Sequence, residues 1–152
     1  MQYEGQIIFE APRASLFELL VDGEALAPCV PGLQSFEVVE PGKSFKLTAK
    51  SKFGTIEPEL DLQVTFTLIE PPDCARLRIR GRGAASHVGA SSYITLLETE
   101  DGGTAMNWSF TFSVFGQLAS IGNRVLNQAF DQLHREFIRD VQELATRRFP
   151  RP

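Results

Sequence analysis

The feature that most narrows the fold is a change of hydrophobic period near residue 116. From Leu33 to Phe115 apolar side chains recur at every second position, and from Leu118 to Leu144 they recur at helical spacing. A period of two places alternate residues on opposite faces of a strand, whereas a period near 3.6 draws one stripe down a helix. Met106, Trp108, Phe110, Phe112 and Val114 alternate with Asn107, Ser109, Thr111 and Ser113. Phe45, Leu47, Ala49, Ser51 and Phe53 alternate with Lys46, Thr48, Lys50 and Lys52, and Ile56, Leu60, Leu62, Val64, Phe66 and Leu68 continue the pattern. Turn signals at Pro41-Gly42, Gly54-Thr55, Pro71-Pro72-Asp73 and Asp101-Gly102-Gly103 keep the connections short. Such strands form an antiparallel meander with one wet face.

The helical stripe Leu118, Ile121, Val125, Ala129, Leu133, Phe137, Val141 and Leu144 predicts one helix over about Gln117–Arg147, about 45 Å long. Upstream, Tyr3, Gly5, Ile7 and Phe9 alternate as a first strand, Ala11-Pro12 ends it, and helices are expected over 13–21 and 22–27. A sheet and a helix with one apolar face each bury those faces on each other. The fold class is α+β, one domain over residues 1–147 with a frayed tail at 148–152.

Composition excludes several functions. The 152 residues carry 15 Lys+Arg against 19 Asp+Glu, a net charge of −4, so no nucleic acid partner is expected. The N-terminal segment alternates and carries Glu4, unlike a signal peptide, and no run reaches the length of a membrane span. Cys29 and Cys74 stand far apart without a CxxC or Cys/His cluster, which points to a reducing, cytoplasmic setting and neither a metal nor a disulfide framework. Twelve Phe against two Tyr and one Trp supply rings with no polar handle, which must pack on each other, a ligand or a partner.

Sharper features have ordinary readings. Counting back from a two-residue turn at Gly54-Thr55 sets Lys52 opposite Glu57 and Lys50 opposite Glu59; a loop at 70–73 sets Asp61 opposite Arg82 and Gln63 opposite Arg80. The basic row Arg76, Arg78, Arg80 and Arg82 is then one rail of a solvated charge ladder. His87 falls in a loop-like stretch, and His134 lies on the long helix near Asp131 and Arg135, spaced as a surface charge pair. Cys29 has no base near it in sequence and reads as a packed thiol. No catalytic residue, cofactor or metal is assigned. The stretch Gly81-Arg-Gly83 to Gly89-Ala-Ser-Ser92 puts almost no side-chain bulk at one end of the sheet. Either the helix approaches closely there or a cavity remains.

Several segments together resemble the CoxG family of carbon monoxide dehydrogenase, within the START-related helix-grip superfamily (SRPBCC), over about residues 1–145. They are Ala11-Pro12-Arg13, Cys29-Val30-Pro31-Gly32, Gly54-Thr55-Ile56, Gly81-Arg-Gly83 to Gly89, and Gly116-Gln-Leu-Ala-Ser-Ile-Gly-Asn-Arg124. The resemblance implies a seven-stranded antiparallel sheet gripping a long C-terminal helix, with an apolar ligand cavity between them and two short helices between strands 1 and 2. It also implies a non-catalytic accessory of a molybdenum hydroxylase, handling a quinone or lipid, with peripheral membrane contact through that partner. Some members extend C-terminally into a membrane segment, whereas this sequence ends at Phe149-Pro150-Arg151-Pro152. Related helix-grip proteins include cyclases and hydrolases, so an enzyme is one alternative and a purely structural adaptor another. The expected pocket is lined by Leu26 and Pro31, by Gly81, Gly83 and Ser92, by Trp108, Phe110 and Phe112, and by Leu118, Ile121 and Val125. Its plug test is Gly83→Leu.

Overall fold

The computed structural model describes residues 2–150. One seven-stranded antiparallel sheet runs in the order β1-β7-β6-β5-β4-β3-β2. Its strands are β1 (Gln2–Phe9), β2 (Leu33–Glu40), β3 (Ser44–Lys50), β4 (Glu59–Glu70), β5 (Cys74–Gly83), β6 (Ser86–Glu98) and β7 (Thr104–Gly116). Between β1 and β2 lie α1 (Arg13–Leu20), α2 (Gly23–Leu26) and a 3₁₀ turn at Ala27–Cys29; the long helix α3 (Asn123–Arg148) follows β7. This is the α+β helix-grip arrangement that the resemblance implied. Pro12, extended at φ −61° and ψ 148°, stands at the N-cap of α1, and Asp22 caps α2 by accepting from the Ala25 amide at 3.1 Å.

The counted registers appear in the sheet: Lys50 opposes Glu59, Asp61 opposes Arg82 and Gln63 opposes Arg80. Phe53 and Ile56 close the two-residue turn at Gly54-Thr55 through reciprocal backbone hydrogen bonds of 2.8 and 3.2 Å. Alternation alone would carry the strands unbroken into that turn, yet β3 ends at Lys50 and β4 begins at Glu59, because Pro58 has no amide to extend the ladder. The charge ladder is weaker than its register suggests. Asp61 accepts from the Thr48 hydroxyl directly opposite at 2.9 Å. Among the described residues no carboxylate pairs with Arg76, Arg78, Arg80 or Arg82. Arg76 instead lies 5.0 Å over the Tyr93 ring.

Two other expectations need correction. His87 is not in a loop: Ser86 and His87 open β6, paired with Gly83 and Arg82. The loop shrinks to Ala84 and Ala85, both left-handed at φ 50° and 54°, the conformation of a two-residue hairpin whose twist matches its strands. The long helix is not continuous from Gln117. A 3₁₀ turn covers Gln117–Ile121, Gly122 follows at φ +94°, and α3 starts at Asn123. A left-handed glycine cannot continue a right-handed helix, so the helix restarts after it, while Leu118 and Ile121 before the break and Ala129 after it still share one core. Arg148 is still helical and Phe149 packs on the core, while residues 151 and 152 lie outside the described residues.

Candidate functional site between sheet and helix

Most buried side chains fall into two groups at opposite ends of the sheet, with Phe112, 2% exposed, between them. One gathers Phe9, Leu16, Phe17, Phe45, Phe66 and Val141; the other gathers Phe53, Leu60, Val88, Leu118, Leu126 and Ala129. Between them runs the row Val64–Ile79–Ala90–Phe112, and beside it Leu77–Ser92–Phe110–Tyr3. These residues point to the helix side, by parity with buried Phe66 and Phe112. Yet Val64, Ile79, Ala90, Ser92 and Phe110 are only half-buried and belong to neither core. In a close-packed interior the middle of a seven-stranded sheet under a 26-residue helix would be its driest part. The inward face around Val64, Ile79, Ala90, Ser92 and Phe110 is therefore less completely covered than the cores on either side, and this incompletely covered stretch is the gap.

Aromatic rings bound this gap on the β7 side. Phe130 of α3 stacks on Phe112 with centroids 3.6 Å apart, and lies 6.4 Å from Phe110 and 5.8 Å from Phe53. Tyr3 also stacks on Phe112, at 5.8 Å, and its hydroxyl donates to Asn127 Oδ1 on α3. Next along β1, Gly5 opposes Trp108 and leaves room for the indole to lie across the strand; a Cβ there would sit 2.8 Å from the ring. Trp108 thus faces inward, and its buried Nε1 has no hydrogen-bond partner among the described residues. His134 covers the indole at a centroid distance of 4.4 Å. Burial lowers the His134 pKa below its ordinary 6.5, opposed by nearby Asp131. Burial, then Asp131, raises that of Tyr3. Asp131 itself pairs with Arg135 at 3.0 Å, as its spacing suggested.

The expected lining residues are dispersed. Ser92, Phe110 and Phe112 floor the gap, and Trp108 flanks it. Leu118 and Ile121 belong to the core at one end, Val125 lies against the Gly54 turn, and Leu26 packs on the opposite core. The Pro31 carbonyl accepts from Ser51 Oγ at 3.3 Å. The glycines are small for another reason. A Cβ on Gly83 would stand 2.3 Å from the Glu59 carbonyl oxygen, at a φ of +149°, so this position serves the close approach of two backbones. On Gly81 it would meet the Leu62 Cδ2 at 2.4 Å. Gly83→Leu would therefore break a strand contact rather than fill a space. Sequence reasoning missed Tyr3, Val64, Ile79, Ala90 and Phe130. Val64, Ile79 and Ala90 share the inward parity already read, but nothing local reveals that they stay half-buried. The buried thiol of Cys29 has its pKa raised, first by burial and then by Asp140, against a lowering from Arg147. Among the described residues no group of three or more His, Cys, Asp or Glu could hold a metal.

Residues 5–146 match the family model of CoxG, a carbon monoxide dehydrogenase subunit. The chain belongs to the CoxG family. Solved structures share its fold at low identity. A conserved protein from Geobacillus kaustophilus superposes with a TM-score of 0.88 at 23% identity, covering 98% of this chain and 97% of that one. A protein from Rhizobium leguminosarum gives 0.71 at 15%, covering 97% and 95%, and Ara h 8.0201 gives 0.67 at 22%, covering 95% and 97%. No curated protein matches the sequence. CoxG membership and the helix-grip fold are consistent with a ligand-binding accessory protein. Among the described residues no helix is long and apolar enough to cross a membrane.

Proposed function

We propose that this CoxG-family chain is a non-catalytic accessory that holds an apolar ligand, a quinone or a lipid, between sheet and α3. It serves a molybdenum hydroxylase of the carbon monoxide dehydrogenase type in the cytoplasm, and meets the membrane through that partner. One observation carries the reading: the half-buried inward row Val64, Ile79, Ala90, Ser92 and Phe110 between two closed cores. Burial of apolar surface yields about 25 cal/mol per Å², so a guest covering about 300 Å² gains about 7 kcal/mol before the cost of association. That suits a carrier that must also release its cargo.

The test is Ala90→Phe, which adds a ring to the floor between Ile79 and Phe112. Native mass spectrometry of gently purified protein should show a bound quinone or lipid in the wild type and none in the variant. Titration with a short-tailed ubiquinone should lose its signal in the variant, with cooperative thermal unfolding retained. A wild type that carries no apolar guest and binds no such probe refutes the proposal.

A further inference from the structure

The outward face of the sheet carries a row of charge that the fold does not use. Arg76, Arg78, Arg80 and Arg82 alternate along β5, all exposed on the face away from α3. Two residues of strand separate each from the next, so they recur about every 7 Å over about 20 Å. The register names what stands beside them. Of the residues opposing the four on β4 and β6, Asp61 is the one carboxylate, and its Oδ1 accepts from Thr48. Beside Arg78 and Arg80 lie Ser91 and Gly89 of β6, and beyond these Thr111 and Ser113 of β7. Among the described residues none of the four arginines makes an ion pair.

Like charges held side by side repel, and exposed side chains that pair with nothing add little to folding. Such a row finds its use when the counter-charge comes from outside. The chain as a whole is acidic, at −4, so a positive strip on it fixes which face an acidic partner meets. The surroundings choose among anions. Sheets that bind nucleic acid stack bases on free aromatic rings, whereas here Arg76 lies 5.0 Å over the Tyr93 ring and covers it. Membrane docking adds the insertion of apolar side chains to charge attraction, but the exposed ring of Phe115 stands two strands from the row. The short residues beside Arg78 and Arg80 instead leave a shallow floor on which another protein can lie. The guanidinium fork matches a carboxylate in two parallel hydrogen bonds.

We propose that the outward face of β5 and β6 docks an acidic protein surface, with Arg78, Arg80 and Arg82 pairing with carboxylates of that partner. Carboxylates at alternate positions of an extended segment, about 7 Å apart, match the row. Those at i and i+4 of a helix, about 6 Å apart, nearly do. The inference goes beyond the carrier reading and does not rest on it. The docking face is the opposite side of the sheet from the gap, so guest and partner can be held at once.

The experiment is fluorescence anisotropy titration of a labelled decapeptide of alternating Glu and Ser with the full chain. The wild type should bind it, and raising salt from about 20 to about 150 mM should weaken binding several-fold, because exposed charges are screened. Arg78→Glu with Arg80→Glu, both exposed, should weaken binding by about tenfold or more and leave thermal unfolding cooperative. The neutral pair Arg78→Gln with Arg80→Gln should weaken it by a smaller factor. Arg124→Glu with Arg147→Glu makes the same change of net charge at the two ends of α3 and should leave binding unchanged. A wild type that does not bind at low salt, or an equal loss in the two charge-reversed variants, overturns the proposal. Tighter binding of phosphatidylcholine–phosphatidylglycerol vesicles, or of a ten-nucleotide oligothymidylate, than of the peptide also overturns it and assigns the face to that anion. None of these outcomes bears on the guest between sheet and α3.

Discussion

Gly81 and Gly83 lie two residues apart on one strand, yet their replacement by alanine should have very different costs. At Gly83 the obstacle is backbone. The new Cβ would lie 2.3 Å from the Glu59 carbonyl oxygen and 3.3 Å from the Leu60 Cα, and φ is +149°. The dihedral alone costs about 1–3 kcal/mol for a residue with a side chain. Relieving the contact means drawing the end of β5 from β4 by most of an ångström, which weakens the ladder there. A total of about 3 kcal/mol is expected from the dihedral and the contact together. At Gly81 the obstacle is the Leu62 Cδ2 at 2.4 Å, the far end of a half-buried side chain, and a rotamer adjustment costs about 0.5–1.5 kcal/mol. Alanine also restricts the unfolded chain, which returns about 0.4–1 kcal/mol, so Gly81→Ala should be nearly neutral. At about 2–4 °C per kcal/mol for a domain of this size, Gly83→Ala should lower Tm by about 6–12 °C and Gly81→Ala by about 2 °C or less. Thermal unfolding followed by circular dichroism measures both. Equal losses, or a tolerated Gly83→Ala, would refute the assignment of Gly83 to a backbone approach and return it to the wall of a pocket.

The β5–β6 hairpin holds two alanines in the left-handed region, φ 50° and 54°. Each costs about 1 kcal/mol there, so the double change Ala84→Asn and Ala85→Gly, allowing for the added freedom of the unfolded glycine, should gain about 1 kcal/mol and raise Tm by about 2–4 °C; a lower Tm would mean that the turn is not of this type. His134 gives stability a pH dependence. Its folded pKa lies below the ordinary 6.5 because burial disfavours the cation, so the unfolded chain binds the proton more readily. Its contribution is full above about pH 6.5 and is lost as pH falls from there through the folded pKa. Urea unfolding at a series of pH values should show a slope in that window that His134→Gln reduces. An unchanged slope would place its source among other groups.

The sheet was legible because its signals are local. Parity alone sends Trp108, Phe110 and Phe112 to one face, and a two-residue turn fixes by counting which residues meet across it, so Lys50 finds Glu59 without any knowledge of the third dimension. The helix was legible in length and in face, for Leu118, Ile121, Ala129, Leu133, Phe137, Val141 and Leu144 all belong to the two cores or pack on them; the break at Gly122 and the place of Val125 were not. Gly122 at φ +94° separates a 3₁₀ turn from α3, and a stripe carried straight through from Leu118 names Val125. The buried residue is Leu126, and Phe130, one turn on, brings its ring onto Phe112. Glycine in sequence does not announce the sign of its φ.

The gap was the hardest feature to foresee, since emptiness is a relation between layers rather than a property of any segment. Smallness at Gly81 and Gly83 suggested a cavity, yet Gly83 is small so that two backbones can approach, and the space beside Gly81 is taken by the Leu62 side chain. The gap is floored instead by Val64, Ile79 and Phe110, residues of ordinary bulk that would join a core if they were fully covered. On either side of it lie the two cores, with Phe53, Leu118 and Leu126 in one and Phe17, Phe66 and Val141 in the other. The polar groups beside it are equally non-local, for the Tyr3 hydroxyl and Asn127 are 124 positions apart in the chain. A gap bordered by two cores has a consequence that one built from missing side chains lacks. It depends on residues that never touch the guest, so truncating Leu126 of α3 should disturb the site even though Leu126 lies outside the gap. Leu126→Ala should cost about 2–5 kcal/mol of stability and also weaken binding of the short-tailed ubiquinone, read by urea unfolding and by titration on the same sample. Lost stability with unchanged affinity would show that the site does not depend on that core.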